Sequence, residues 1–201
     1  MGKIRQSFGK RYFATTIAAE QPANGVIVLP KFTLELSTEA IRLLFDLHGQ
    51  PCVIGDVTPS SQHLDPQMAA LLGLAARISK PPIVTTIVVP REHVLYKTLH
   101  VDRVVDPSEH QIVNYICGVT ELTKDAICVD WVVAGSAVHI AAVEKITLLE
   151  AGEFAKRHGF VTDVFTSHAL TGHFPRQPVF NDPRTPKRPR FMQRQEPPRQ
   201  Y

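Results

Sequence analysis

Nine histidines, three cysteines and nineteen carboxylates could hold a metal or move protons, so their spacing decides which chemistry is open to this chain. His93 and His100 stand seven apart, and on one strand they would point to opposite faces. His158 precedes Gly159 and reads as a cation at a helix C-terminus, while His168 and His173 fall in loop sequence near the last strand. Carboxylates converging from adjacent strands could hold magnesium for phosphodiester cleavage, and Glu35, Asp46, Asp56 and Asp130 occupy strand positions. A phosphate-cradling loop needs two glycines around four residues, then lysine and a hydroxyl. The nearest approach, Gly9-Lys10, has Ile4 in place of the first glycine and Arg11 in place of the hydroxyl. There is no Gly-x-Ser-x-Gly elbow. Cys52, Cys117 and Cys128 are odd in number, widely spaced and set in apolar runs, so they read as buried thiols of a reducing compartment. These residues predict neither catalysis nor a bound metal or cofactor.

Binding chemistry is better represented. Trp131 alternates with Val129 and Val133, which predicts a core position on one strand face; on an edge strand the same ring would anchor a partner. The C-terminal residues Arg184, Lys187, Arg188, Arg190, Arg194 and Arg199 are opposed by Glu196 alone. The first 13 residues hold Lys3, Arg5, Lys10 and Arg11 with no acid. The two ends therefore carry +4 and +5 in a chain of net charge +3, which leaves about −6 on residues 14–183. A nucleic-acid groove needs a clustered positive face, so nucleic acid or an anionic membrane surface would be met by the tails and not by the body.

The elements that must position these residues follow from the hydrophobic periods. Phe32–Leu36, Ile41–Leu47 and Val53–Val57 predict a three-stranded meander. Asp65 and Pro66 open a helix carried by Met68, Leu71, Leu72, Ala75 and Ile78 and stopped by Pro81-Pro82. Ile83–Val89 reads as a buried central strand and Val94–Val101 as another strand, and a helix follows from the Asp106-Pro107-Ser108-Glu109 signal. Ile127–Val133 and Val138–Val143 form a hairpin across Ala134-Gly135-Ser136-Ala137. Thr147 and Glu150 have capping-box spacing for a third helix that Gly159 ends, and Val161–Phe165 is the last strand. The expected fold is α/β, a mixed sheet flanked by helices.

The organisation expected is a basic flexible arm and linker over residues 1–30, one domain over 31–170, and a Pro/Arg-rich disordered tail over 171–201. No window holds the roughly 20 apolar residues of a membrane span, and the N-terminus lacks the apolar core of a secretion signal. A cytoplasmic location follows. The acid-free N-terminus is also compatible with a transit peptide.

Leu36-Ser37-Thr38-Glu39-Ala40-Ile41-Arg42-Leu43-Leu44, the stretch Val89 to Leu99, Phe154-Ala155-Lys156-Arg157-His158-Gly159-Phe160, and Gly172 to Phe180 resemble a family of uncharacterised alphaproteobacterial proteins. More remotely, the order from Ile83 to Phe160 is similar to the first half of the actin-like cytoplasmic platform proteins of type IV pili and type II secretion systems. The resemblance implies a ribonuclease H-like core, half of an actin-like fold, with an inserted strand–helix–strand subdomain. It also implies a place peripheral to the inner membrane. Ser37-Thr38-Glu39 stands where actin-like ATPases put aspartate and glycine, so no nucleotide site is carried over. The function expected is a non-enzymatic adaptor or scaffold that presents a sheet edge or the inserted subdomain to a protein partner. The alternatives are a nucleic-acid-associated protein binding through its basic arms and a metal-dependent nuclease of ribonuclease H-like fold.

Overall fold

The computed structural model describes residues 31–100, 106–169 and 172–184, with Asp163 described by its backbone alone. The meander is present as β1 (Phe32–Leu36), β2 (Ile41–Leu47) and β3 (Gln50–Val57), antiparallel throughout. His48 and Gly49, at φ 56° and 82°, make a two-residue turn whose left-handed backbone matches strand twist. Asp46 holds that turn by accepting the Gly49 N–H at 2.6 Å. Two parallel strands extend the sheet beyond β1: β4 (Ile83–Val89) and β8 (Phe160–Ser167). A short antiparallel strand, β9 (Val179–Asn181), ends it, giving the order β3-β2-β1-β4-β8-β9. Three antiparallel strands followed by two parallel ones are the ribonuclease H-like arrangement, here with one strand added.

Helices α1 (Leu64–Ile78) and α3 (Lys145–Arg157) serve the crossovers β3 to β4 and β4 to β8. Both crossovers advance across the sheet in the same direction, so right-handed connection puts both helices on one face. There Met68, Leu71 and Ala75 of α1, with Leu148, Ala151 and Ala155 of α3, bury against Leu34, Leu43, Ile87, Phe160 and Phe165. Each large aliphatic or aromatic side chain removed from water contributes about 1.5–3 kcal/mol. Gly159, at φ 84°, ends α3, and a Cβ there would lie 2.6 Å from Leu72 of α1. The positive φ therefore requires glycine, and a Cβ would in addition make the Leu72 side chain give way.

Between β4 and α3 lies the insertion: β5 (Val94–His100), α2 (Glu109–Val119), β6 (Ile127–Ala134) and β7 (Ala137–Glu144). Its three strands form a second sheet of order β5-β7-β6. Alternation gives this sheet two apolar faces. Ile127, Trp131, Val138, Ile140 and Ala142 meet Ile112 and Ile116 of α2, whereas Ala141 and Val143 join the main core.

Several local expectations are corrected. Asp65 does not cap α1, because Ser61 and His63 organise an earlier start: the Leu64 N–H reaches the Ser61 carbonyl and the Gln67 N–H that of His63. Asp65 lies in the first turn, 3.9 Å from His158 Nε2. The cap of α2 is Ser108, in a reciprocal box with Gln111, and Asp106 instead accepts the Trp131 indole N–H at 3.4 Å. Thr147 and Glu150 fall inside α3, because β7 runs directly into that helix at Lys145. His93 belongs to a one-turn 3-10 helix (Arg91–His93) and not to a strand. Cys52 is exposed on β3, not buried.

The domain end expected at residue 170 is also too early. Val179–Asn181 contains no proline and completes a ladder with β8, and Phe174 and Phe180 are 4% and 1% exposed in the main core. Proline blocks the ladder only where it stands, and the prolines at 175, 178 and 183 flank this strand. The arm over residues 1–30 and the tail beyond Arg184 lie outside the described residues.

Candidate functional site

A strand at the margin of a sheet presents unpaired N–H and C=O groups, and native chains blunt such edges unless they use them. Two sheets give this protein four outer strands, β3, β9, β5 and β6. The edge at β3 is interrupted by a register shift opposite Leu43 and Leu44 and carries Pro51. Gln50 closes the two-residue turn with Leu47, so alternation turns the Pro51 nitrogen outward, where a missing donor breaks no ladder but denies one to a newcomer. Strand β9 is three residues long, and its Val179 N–H is taken at 2.9 Å by Asp130. Strand β6 lies beside the stretch 176–179, which Asp130 ties down through Arg176 at 2.6 and 2.9 Å.

Strand β5 differs from the other three. It pairs with β7 in unbroken register from Val94↔Val143 to His100↔Ala137, and no described strand pairs with its other side. It contains no proline, glycine or register shift. The direction of its amides follows from the β6–β7 hairpin, where Gly135 at φ 58° opens a two-residue turn closed by Ala134↔Ala137. The closing pair exchanges hydrogen bonds, so Val138, Ile140 and Ala142 turn their amides to β5 and engage Leu99, Lys97 and Leu95. The backbone groups of Tyr96 and Thr98 therefore point away from the sheet.

The side chains of those two residues are fixed from behind. The Tyr96 hydroxyl donates to the His168 carbonyl at 3.0 Å, and its ring lies 6.0 Å from that of Phe174. Burial pushes the Tyr96 phenol up, so it remains a proton donor at neutral pH. Thr98 Oγ1 lies 3.1 Å from His139 Nδ1, which is itself 3.0 Å from the His173 carbonyl. The otherwise unexplained His168 and His173 thus sit behind β5, and His168 Nε2 also meets Glu35 at 3.3 Å.

The residues selected from sequence are distributed differently. Trp131 is 7% exposed and belongs to the core under α2, as its alternation predicts. Arg184 is not a free tail base: it binds Asp182 through Nε and Nη2 and Glu153 of α3 through Nη1. Lys187, Arg188, Arg190, Arg194 and Arg199 lie outside the described residues. The strand carboxylates do not converge. Glu35 and Asp56 are each in register with Arg42, which stands between them; Asp46 serves its turn, and Asp130 belongs to the other sheet. Among the described residues no three His, Cys, Asp or Glu side chains are grouped to hold a metal ion. No described helix is long and apolar enough to cross a membrane. Sequence reasoning found the strand at Val94–Val101 but not its place as an outer strand, which depends on the pairing of β7.

The Asp182–Arg184 pair carries a pH signature. Burial alone would raise the Asp182 carboxyl, but the guanidinium and backbone N–H of Arg184 outweigh it and hold the group below the usual carboxylate range. A depressed folded-state value contributes stability that is complete above the unfolded-state value of about 3.9 and is lost as pH falls through the folded-state value. Asp182→Asn is therefore expected to melt below the wild type at pH 6 and to converge on it as the pH falls below the ordinary carboxylate range. A constant difference from pH 6 to pH 2, followed by calorimetry, would contradict this assignment.

No protein-family model matches the chain, and no curated protein does. Among solved structures it is similar to the cytoplasmic domain of EpsL, an inner-membrane component of the type II secretion system of Vibrio cholerae. Identity there is 10%, coverage 67% of this chain and 55% of that one, and TM-score 0.47. It is similar to the PilM–PilN type IV pilus biogenesis complex at 14% identity, over 68% of this chain and 47% of that one, with TM-score 0.47. A third is a Bacteroides thetaiotaomicron protein of actin-like ATPase fold and unknown function, at 12% identity, 75% and 70% coverage and TM-score 0.33. The chain spans about half the length of the first two.

Proposed function

We propose that this protein is a non-enzymatic adaptor that accepts an extended segment of a protein partner along β5 of its inserted subdomain. One observation carries the reading: β5 is regular and, among the described residues, has no strand on its outer side, whereas β3, β6 and β9 are interrupted, tied down or very short. Addition of a strand supplies affinity through main-chain hydrogen bonds and specificity through alternate side chains. An envelope-associated setting, peripheral to the inner membrane, is part of the proposal and rests on the resemblance read from the sequence. Binding of nucleic acid through the C-terminal arm is the weaker alternative, since Arg184, the first base of that arm, is already paired with two carboxylates.

The test is selection of peptides from a random display library on the full chain, followed by Thr98→Pro and Thr98→Val. Proline removes the outward N–H while sparing the ladder to β7, and valine keeps the N–H while removing the hydroxyl beside His139. Selected peptides should lose at least tenfold in affinity with Thr98→Pro and less than threefold with Thr98→Val. Circular dichroism and melting confirm that both variants fold. Peptides that bind Thr98→Pro as well as the wild type would end the proposal.

A further inference from the structure

The chemistry of the segment that fits β5 can be specified further, on the premise that β5 is the docking edge. Side chains of an added strand line up beside those of the strand it joins. On the α2 side of β5 the sequence alternates Leu95, Lys97 and Leu99. Leu95 and Leu99 are half-buried at the margin of the cluster formed by Ile112, Ile116, Trp131 and Ile140, while Lys97 between them is exposed. An incoming strand would extend that cluster at two positions and meet an ammonium at the position between. Charge points the same way. The body of the chain carries about −6, yet from Arg91 to His100 it holds Arg91, Lys97 and two histidines against Glu92 alone.

We infer that the partner segment is an extended strand with an apolar residue, an acidic residue and an apolar residue at alternate positions, its carboxylate paired with Lys97. Opposite charges directly across a sheet favour pairing, and like charges there oppose it. The apolar pair gives burial, and the carboxylate sets register, because a slip of one residue would turn all three groups to the wrong face. A segment with a basic residue at the central position is disfavoured by Lys97.

The experiment uses the full chain and three synthetic nonapeptides that differ only in the central residue: Glu, Gln or Lys between two valines at alternate positions. Binding is read by fluorescence anisotropy at two salt concentrations. Wild type should prefer the Glu peptide over the Lys peptide by at least tenfold at low salt, and Lys97→Glu should reverse that order. Thr98→Pro should abolish binding of all three. Equal affinity for the three peptides, with binding still lost in Thr98→Pro, would overturn the acidic pattern and leave the docking edge standing. Binding indifferent to Thr98→Pro, or no binding at all, would overturn both. A wild-type dimer by light scattering that becomes monomeric in Thr98→Pro would assign the edge to a second copy and overturn the choice of partner.

Discussion

Trp131→Ala should lower the free energy of unfolding by about 3–5 kcal/mol, the range for removing a large aromatic ring from a packed core. The ring is 7% exposed and lies among Ile112, Ile116, Ile127, Val138 and Ile140, so its loss opens a cavity between α2 and the second sheet. Its indole N–H also leaves Asp106, just before α2. Trp131→Phe keeps most of the volume and should cost less than half as much. Urea denaturation followed by circular dichroism measures both. Because Trp131 is the chain's single tryptophan, wild-type fluorescence reports the inserted subdomain alone. Coincident fluorescence and dichroism transitions would show that the insertion unfolds together with the main sheet. An unchanged melting curve for Trp131→Ala with loss of peptide binding would make the ring a partner contact, against the burial described above.

The strands and helices were legible in the sequence where one physical signal dominated. The β-branched run Ile83–Val89 has six of seven residues buried, and Gly159 ends its helix at positive φ. Legibility failed where two signals competed. Asp65, Asp106 and Thr147 each have the right side chain for a cap, but the chain enters α1, α2 and α3 by a turn, by Ser108 and directly from β7. Composition misplaced the C-terminal boundary because it averages over a window. Five proline and arginine positions from 175 to 184 outweighed Phe174 and Phe180, the residues that pack into the core. The place of β5 at the margin of its sheet was hidden for a different reason. Nothing in Val94–His100 distinguishes an edge strand from an interior one until the pairing of β7 with both β5 and β6 is known.

Removing either partner of the Asp130–Arg176 pair should be costly, and unequally so. The Asp130 carboxylate accepts two guanidinium N–H bonds from Arg176 at 2.6 and 2.9 Å, and the main-chain N–H groups of Val179 and Trp131, each at 2.9 Å. The side chain of Asp130 is 7% exposed and that of Arg176 is 35% exposed. A charge left unpaired costs more the less water can reach it, and breaking a fully buried pair costs about 3–5 kcal/mol. Arg176→Ala strands the carboxylate inside and should fall near the middle of that range. Asp130→Ala strands a guanidinium that can turn to solvent, and it should cost about 1 kcal/mol less. The order could invert in one way. Asp130 is also the acceptor that ties Val179 beside the second sheet, so Asp130→Ala loosens β9 as well as the ion pair. Hydrogen exchange separates the two effects: faster exchange at Val179–Asn181 in Asp130→Ala, but not in Arg176→Ala, would identify the main-chain tie as the larger contribution. The double variant should cost less than the sum of the singles by about 2 kcal/mol, since each single change pays for a stranded charge that the double change removes. Strict additivity in urea titrations would show that the two groups do not act as a pair, and that the stretch from Gly172 to Arg184 is held chiefly by the β8–β9 ladder and by Phe174 and Phe180.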